Sequence, residues 1–358
     1  MKTMKAAVLR AARRMVIEEQ PVPEPGPGWA RIANRASGIC GSDMHIYTGN
    51  HPWLAPGSPM AKYVLGNVYG HEIAGVVDAV GDGVSEVRVG DRVALDAIVP
   101  CLKCLYCRVG LYQICTDLSH FGFHHPGGFA EYTLAPAKNL WRIPGRLSFE
   151  EAALLDVLVV GVHAVHMARV TMADRVAVLG AGPIGLAIAA AARRAGARET
   201  FITAKYGIQR EIAASLGVEQ VVEARDEAIS GAVAERTGGL GVDCVIESIG
   251  YKAKTIELAL NLVRKGGRIV FTGVFEQPVT LNFGDLLIKE ASISASHAFG
   301  LWGLVPEFEL ALELLVQGLF PARRIITHRY PLEQIGEAFE RKLSDPAHTM
   351  KVEIVFPD

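Results

Sequence analysis

"RVAVLGAGPIGLAIAAAARRAG", residues 175–196, runs from an apolar strand through a glycine-rich turn into a helix of small residues. The turn spells Gly180-x-Gly182-x-x-Gly185, and Pro183 and Ile184 stand where the helix opens. The three glycines suit a tight turn, close approach of backbone to a pyrophosphate, and tight helix–strand packing. The first N–H groups of such a helix are unpaired and its dipole favours phosphate. The uncharged run Val176–Ala192 approaches the length of a membrane span, but its glycines and Pro183 break it into strand, turn and helix. In that context the glycine pattern reads as a dinucleotide site.

The surrounding chain extends this reading. "TFITA", "DCVIESIG" and "RIVFTGV" are apolar runs of strand length; "QREIAASLG" and "KTIELALNLVRKGG" between them have helical periodicity and end in glycine. Strands alternating with helices imply a parallel, doubly wound sheet. Before about residue 145 the texture changes to short Val- and Ile-rich runs separated by "PEPGPG", "VGDGV" and "VGDRV", which predicts irregular, mostly antiparallel β structure. The fold class is therefore α/β, with a β-rich domain over 1–150 and a Rossmann domain over 151–294. The tail 295–358, with two helical patterns and a last strand "KVEIVF", is expected to complete the first domain. A chain of 358 residues is long enough for two cores.

Charge excludes several functions. The 36 basic and 38 acidic residues leave a net charge of −2, which gives no electrostatic footprint for nucleic acid and no steering towards a membrane. No apolar stretch of signal-peptide length precedes Arg10, Arg13 and Arg14, so a cytoplasmic protein with reduced cysteines is expected.

Four of the six cysteines crowd into "CLKCLYCRVGLYQIC", residues 101–115. Cys101, Cys104, Cys107 and Cys115 have the spacing of a metal site, and four thiolates close around one tetrahedral zinc at about 2.3 Å per bond. Such a site has no open position, so it is structural and the chemistry lies elsewhere. A nucleic-acid-gripping ribbon is disfavoured, since this lobe carries only Lys103 and Arg108.

A second constellation is spread along the chain. "GICGSDMHIY" (38–47) supplies Cys40, and "GHEIAGVVDAVGDGV" (70–84) supplies His71 with Glu72 beside it. A thiolate and an imidazole need a third ligand. Asp156, inside the apolar helical run "EEAALLDVLVVGVHAVH", offers one, because an unpaired buried carboxylate costs several kcal/mol. A cation relieves that cost; so does an arginine partner, or exposure at the helix end. His163 lies about 10 Å further along the same helix, too far for the same ion, and reads with His166 as a packed or capping residue. His124 and His125 read as solvated loop residues, and Cys244 as a buried hydrophobe in a strand.

Nearly the whole chain resembles the zinc-dependent medium-chain alcohol dehydrogenases, most of all their sorbitol (polyol) and threonine branches. The resemblance rests on the GHE-x2-G-x5-G-x2-V pattern at 70–84, the four-cysteine lobe, "GGFAEY" at 127–132 and the dinucleotide turn. It implies a GroES-like catalytic domain joined to the Rossmann domain, with the active site in the cleft between them and two zinc ions per chain. It assigns Cys40, His71 and Asp156 to the catalytic zinc, with Glu72 as an alternative or exchanging ligand. Many relatives carry glutamate or cysteine where this chain has Asp156. The resemblance further implies that Asp43 orients the zinc histidine, that Ser42 and His45 relay a proton to solvent, and that the protein is a homotetramer or homodimer. An open zinc acidifies a bound alcohol, and the nicotinamide takes the hydride. A zinc-free enone or quinone reductase would lack the cysteine lobe and the Cys–His pair. A non-catalytic relative would have no need of Cys40, His71, Ser42 and His45 together.

Cofactor choice is read after the second strand, in "ETFITAKYGIQRE" (199–211). An NAD enzyme presents Asp or Glu there to the ribose hydroxyls. Here the position is Ala204, followed by Lys205 and Tyr206, with Arg210 beyond. An absent acid and a gained base predict NADP over NAD. The expected substrate, from the resemblance alone, is a secondary alcohol of the polyol, sugar or cyclitol type, or else an amino alcohol like threonine. The segment 49–70, with Trp53, Leu54 and Pro56, is expected to shape the pocket mouth.

Overall fold

The computed structural model describes residues 2–49, 66–251 and 253–357, so Trp53, Leu54 and Pro56 lie outside the described residues. The chain forms two compact units, residues 1–156 with 322–358, and residues 157–321.

In the first unit a seven-stranded sheet is built around Trp29–Gly38, which pairs antiparallel with Glu72–Val80, Tyr132–Pro136 and the C-terminal strand Lys351–Val355. The register of the last pairing sets Glu353 opposite Gly38 and Ile354 opposite Ser37. Ile326–Pro331 then runs parallel to the C-terminal strand. The end of the chain thus reaches the segment that leads into Cys40. Alternation along Trp29–Gly38 buries Ala30, Ile32 and Ala36 with Ile73, Val77 and Val93.

The second unit has six parallel strands in the order Gln220–Glu223, Glu199–Ala204, Arg175–Leu179, Val242–Glu247, Val263–Phe271, Ser292–Ala295. In sequence this is 3-2-1-4-5-6, the doubly wound order whose reversal lies beside the first strand. That strand carries the glycine turn. The tail returns to the first unit at Ala322, later than residue 295. The reason is a buried bond network: Glu307, at the start of the helix Glu307–Val316, accepts hydrogen bonds from His163, His166 and the Gly300 amide. These hold the segment around residues 300–316 to the helix Leu155–Met167. Among the described residues, no helix is long and apolar enough to cross a membrane.

Candidate functional site

The cysteine lobe is assembled by local turns. Cys104 caps the four-residue helix Leu105–Arg108, its sulfur accepting from the Cys107 amide. The Cys101, Cys104 and Asp117 amides likewise point at sulfurs, at 3.3–3.4 Å. Backbone hydrogen bonds from Cys107 and Thr116 pull the Cys104 thiol down to about 5. The four sulfurs lie within 4.8 Å of one another, with Cys104 Sγ 3.5 Å from Cys107 Sγ and 3.9 Å from Cys115 Sγ. Four ligands at zinc–thiolate bond length stand about 3.8 Å apart, so the cradle fits that ion. None of the cysteines is in a disulfide.

Cys40 precedes the helix Gly41–Thr48 as its cap, and its amide donates to Asp43 Oδ2 at 2.9 Å. Ser42 and His45, three apart on this helix, are half-buried. Asp43 is buried with Oδ1 lacking a hydrogen-bond partner, 3.8 Å from His71 Nδ1. Asp43 therefore bonds the backbone of Cys40 and only approaches the imidazole, beyond hydrogen-bond length. His71 is buried against His120 and Phe123, with ring centroids at 5.1 and 5.6 Å. Its Nε2 is 3.9 Å from Asp156 Oδ2, and its Nδ1 is unpartnered.

The two candidate carboxylates differ in what already holds them. Ligand atoms of Cys40, His71 and Glu72 lie within 4.8 Å of one another. Yet both oxygens of Glu72 accept from Lys351 Nζ, at 2.6 and 2.7 Å. Asp156, in the first turn of Leu155–Met167, is buried with Oδ1 unpartnered, and burial pushes its carboxyl up to about 6. Three buried polar atoms have no partner, one each on Asp43, His71 and Asp156, and both carboxylates lie within 4 Å of the His71 ring. Orphaned groups of this kind are costly in an apolar interior, and a bound cation meets the need of a thiolate, an imidazole and a carboxylate together. The donor set fits zinc.

In the second unit the glycine turn has the geometry its sequence requires. Gly180 has φ +100°, and its amide donates to Thr203 Oγ1 at 2.8 Å. A Cβ at Gly185 would lie 1.8 Å from the Gly180 carbonyl oxygen, whereas one at Gly182 meets nothing within 4 Å. Only a bare backbone lets the helix Pro183–Arg194 start so close to the strand, and Gly182 faces open space where a pyrophosphate can approach. Ala204 ends the second strand, and Lys205 is exposed with Nζ 5.3 Å from the Tyr206 ring centroid. Gln209 accepts from the Lys205 and Tyr206 amides, and Arg210 donates to the Lys205 carbonyl.

A third cluster, His163, His166 and Glu307, also sits within ligand reach of itself. Its spacing is different. His163 Nδ1 and His166 Nδ1 are 2.8 and 2.7 Å from Glu307 oxygens, whereas nitrogen and oxygen ligands of one zinc stand about 3.3 Å apart. This is a hydrogen-bonded clamp, with His166 stacked on Trp302. Desolvation opposes ionisation of Glu307, but the hydrogen bonds from both imidazoles prevail and hold its carboxyl at about 2.

The GroES-like domain pattern of alcohol dehydrogenases matches residues 26–145, and the zinc-binding dehydrogenase pattern matches residues 183–317. Sorbitol dehydrogenase of Bacillus subtilis is 32% identical across 99% of this chain and 98% of its own. The chain belongs to the zinc-containing medium-chain alcohol dehydrogenases. This dehydrogenase is also 34% identical to L-threonine 3-dehydrogenase of Pyrococcus horikoshii across 90% of each chain. Among solved structures, alcohol dehydrogenase RspB of E. coli CFT073, complexed with NADH, matches with a TM-score of 0.87 and 30% identity over 99% of both chains. A putative zinc-binding dehydrogenase of Sinorhizobium meliloti, bound to NADP, matches with a TM-score of 0.84 and 29% identity over 99% of this chain and all of that one.

Several residues of the dehydrogenase were not visible as site residues in the sequence. Lys351, Lys342, His120 and Phe123 are brought to Cys40, His71 and Glu72 by folding, and no local pattern marks them. His124 and His125 are half-buried and hold protein partners: His125 Nε2 meets Ser119 Oγ at 2.9 Å and its ring packs on Phe121, while His124 Nδ1 accepts from the His120 amide. Cys244 is fully buried in its strand.

Proposed function

We propose that this dehydrogenase oxidises a secondary alcohol of the polyol, sugar or cyclitol type, using NADP in preference to NAD. The observation that carries the reading is the half-buried Cys40 within ligand reach of the buried His71, whose unpartnered ring nitrogen and the unpartnered Asp156 carboxylate beside it suit a cation. In it, Cys40, His71 and Asp156 would hold the catalytic zinc, and the four-cysteine lobe would hold a structural one. A zinc with an open position supplies Lewis acidity, making an alcohol hydroxyl a far stronger acid. The chain's own residues do the rest. Asp43 fixes the backbone at Cys40 through its amide. Ser42 takes the hydroxyl proton and passes it to His45, which hands it on to solvent. Gly180, Gly182, Pro183, Ile184 and Gly185 would anchor the nicotinamide dinucleotide, which would supply the hydride acceptor.

The substrate class is supported by likeness to sorbitol dehydrogenase, and an amino alcohol is the second reading because the threonine dehydrogenase is as similar. NADP is supported by Ala204 in place of an acid, with Lys205 and Arg210 exposed beside it and Tyr206 available to pack on adenine. A homodimer or homotetramer, working in the cytoplasm, completes the proposal; unpaired cysteines agree with a reducing compartment. A panel of polyols, sugars, cyclitols and amino alcohols, scored by nicotinamide reduction with each cofactor, tests it. The native enzyme should favour NADP, and an Ala204→Asp, Lys205→Ile double variant should move kcat/KM towards NAD by about tenfold or more. A native preference for NAD, or turnover confined to primary alcohols, overturns the corresponding part.

A further inference from the structure

We infer that Glu247 is a positioning residue for the nicotinamide half of the dinucleotide: its buried carboxylate holds the segment 248–251 in the shape that walls the glycine turn. The inference rests on the reading of Gly180, Gly182 and Gly185 as the pyrophosphate turn. In the 3-2-1-4-5-6 order the sheet reverses between the first strand and the fourth, Val242–Glu247, and a dinucleotide lies across that crevice. One half falls to the first three strands, where Ala204 ends the second. The other half falls to the last three, so the segment that follows Glu247 belongs to the nicotinamide end.

That segment is pressed against the turn. Ser248 Oγ donates to the Leu179 carbonyl at 2.9 Å and approaches the Gly180 carbonyl at 3.3 Å. A Cβ on Gly180 would stand 2.6 Å from Ile249 Cγ1, and Ile249 keeps 44% of its surface exposed. The backbone then takes two left-handed steps, Gly250 at φ +57° and Tyr251 at φ +64°. Glycine adopts this conformation freely, whereas a tyrosine does so only where its surroundings over-determine it. Glu247, fully buried, supplies much of that constraint. Its Oε1 accepts from the Ile249 amide at 2.9 Å, the Gly250 amide at 2.8 Å and Thr255 Oγ1 at 3.0 Å. Successive amides turned towards one point form a nest for an anion, and here the chain fills the nest with its own carboxylate. The segment after the fifth strand, Val263–Phe271, closes the other side. The Tyr251 amide donates to the Val274 carbonyl at 2.7 Å, and the Thr272 amide to the Glu247 carbonyl at 2.9 Å. A Cβ on Gly273 would stand 2.3 Å from the Gly250 nitrogen and 2.6 Å from Glu247 Oε2. A buried carboxylate is a costly way to fill space, since an apolar side chain of the same volume often serves stability as well. Here it fixes a wall of the cofactor site before the cofactor arrives, and such preorganisation lowers the cost of binding.

The test is direct binding to the full-length, zinc-loaded protein. Nicotinamide fluorescence reads the affinity for NADH and NADPH. Calorimetry reads the affinity for AMP and adenosine 2′,5′-bisphosphate, which lack the nicotinamide half. Glu247→Ala removes the shared acceptor. Its Kd for the reduced dinucleotides is expected to rise by about tenfold or more, while the two fragments bind within about threefold of native. Glu247→Gln keeps an oxygen for the three donors, and all four ligands are expected to bind it within about threefold of native. A Glu247→Ala protein that binds reduced dinucleotide as the native one does, or that loses fragments and dinucleotides alike, overturns the inference. So does a Glu247→Gln protein as weak as Glu247→Ala. Should Glu247→Ala not accumulate folded, Glu247→Asp decides, because its carboxylate falls one methylene short of the amides. A rise of about fivefold or more in the dinucleotide Kd, with the fragments unchanged, supports the positioning role; native-like binding overturns it. A native protein that binds neither NADH nor NADPH overturns the dinucleotide reading itself, and is told apart by needing no variant.

Discussion

The cysteine lobe and the Cys40–His71 centre are both thiolate sites, yet they are built in opposite ways. In the lobe all four donors come from fifteen residues, the sulfurs are ringed by backbone amides, and apolar side chains such as Leu105 and Val109 face solvent. At the other centre the candidate donors lie far apart in the chain: Cys40, half-buried, with His71 and Glu72 within ligand reach of it, and the buried Asp156 beside His71, with unpartnered atoms on His71 and Asp156. One place has every donor committed in advance. The other has more acceptors than it can use, and restrains one of them with a lysine. The difference teaches that a site built from neighbours along the chain needs only local spacing, whereas one built from distant residues depends on the fold that brings them together.

The largest expected effect separates chemistry from architecture. Cys40→Ser should cut kcat by about a thousandfold or more while one zinc per chain and cofactor binding remain. Metal analysis with steady-state kinetics reads both, and full activity in a protein with one zinc would break the comparison. Cys104→Ser should do the reverse. Structural zinc contributes directly to folding, so the midpoint of thermal unfolding should fall by about 5 °C or more and soluble yield with it. A variant with native stability and two zinc per chain would make the lobe something other than a structural site.

The Glu307 clamp sharpens the comparison, because it is a cluster of metal-ligand types that needs no metal. Its carboxyl is held at about 2 in the fold against about 4.5 ordinarily. A group depressed in this way contributes stability above its unfolded value and loses it as pH falls through the folded one. That contribution is about 3 kcal/mol above pH 5 and disappears from about pH 4.5 towards pH 2. Urea unfolding of native protein and Glu307→Gln across that window should converge in acid, with zinc content alike in both. Equal slopes with pH would remove the clamp from the account. The smallest expected effect is at Asp156. Asp156→Asn should weaken catalytic zinc by about tenfold, measured by chelator competition, and leave the lobe zinc in place. Unchanged affinity would assign the third ligand to Glu72.

The sequence by itself determined what depends on neighbours along the chain. The parallel unit follows from alternating strand and helix periods; the dinucleotide turn from three glycines and the helix after them; the metal-binding lobe from cysteines three, three and eight residues apart. The turn and the lobe are each satisfied within about fifteen residues, and every strand and helix of the parallel unit shows its own period locally, so these patterns are visible in one dimension. The tertiary structure decided the rest. The chain returns to the first unit at Ala322 because Glu307 bonds His163, 144 residues away. Lys351 meets Glu72 across 279 residues because the C-terminal strand pairs in a register that sets Glu353 against Gly38. A shift of that register by one residue would turn Lys351 to the other face of the sheet. Nothing in the local pattern "HEIAG" or "MKVEIVF" records that meeting. Which carboxylate is bound by lysine and which keeps an unpartnered oxygen is therefore decided by tertiary packing, where distance in space has no counterpart in distance along the chain.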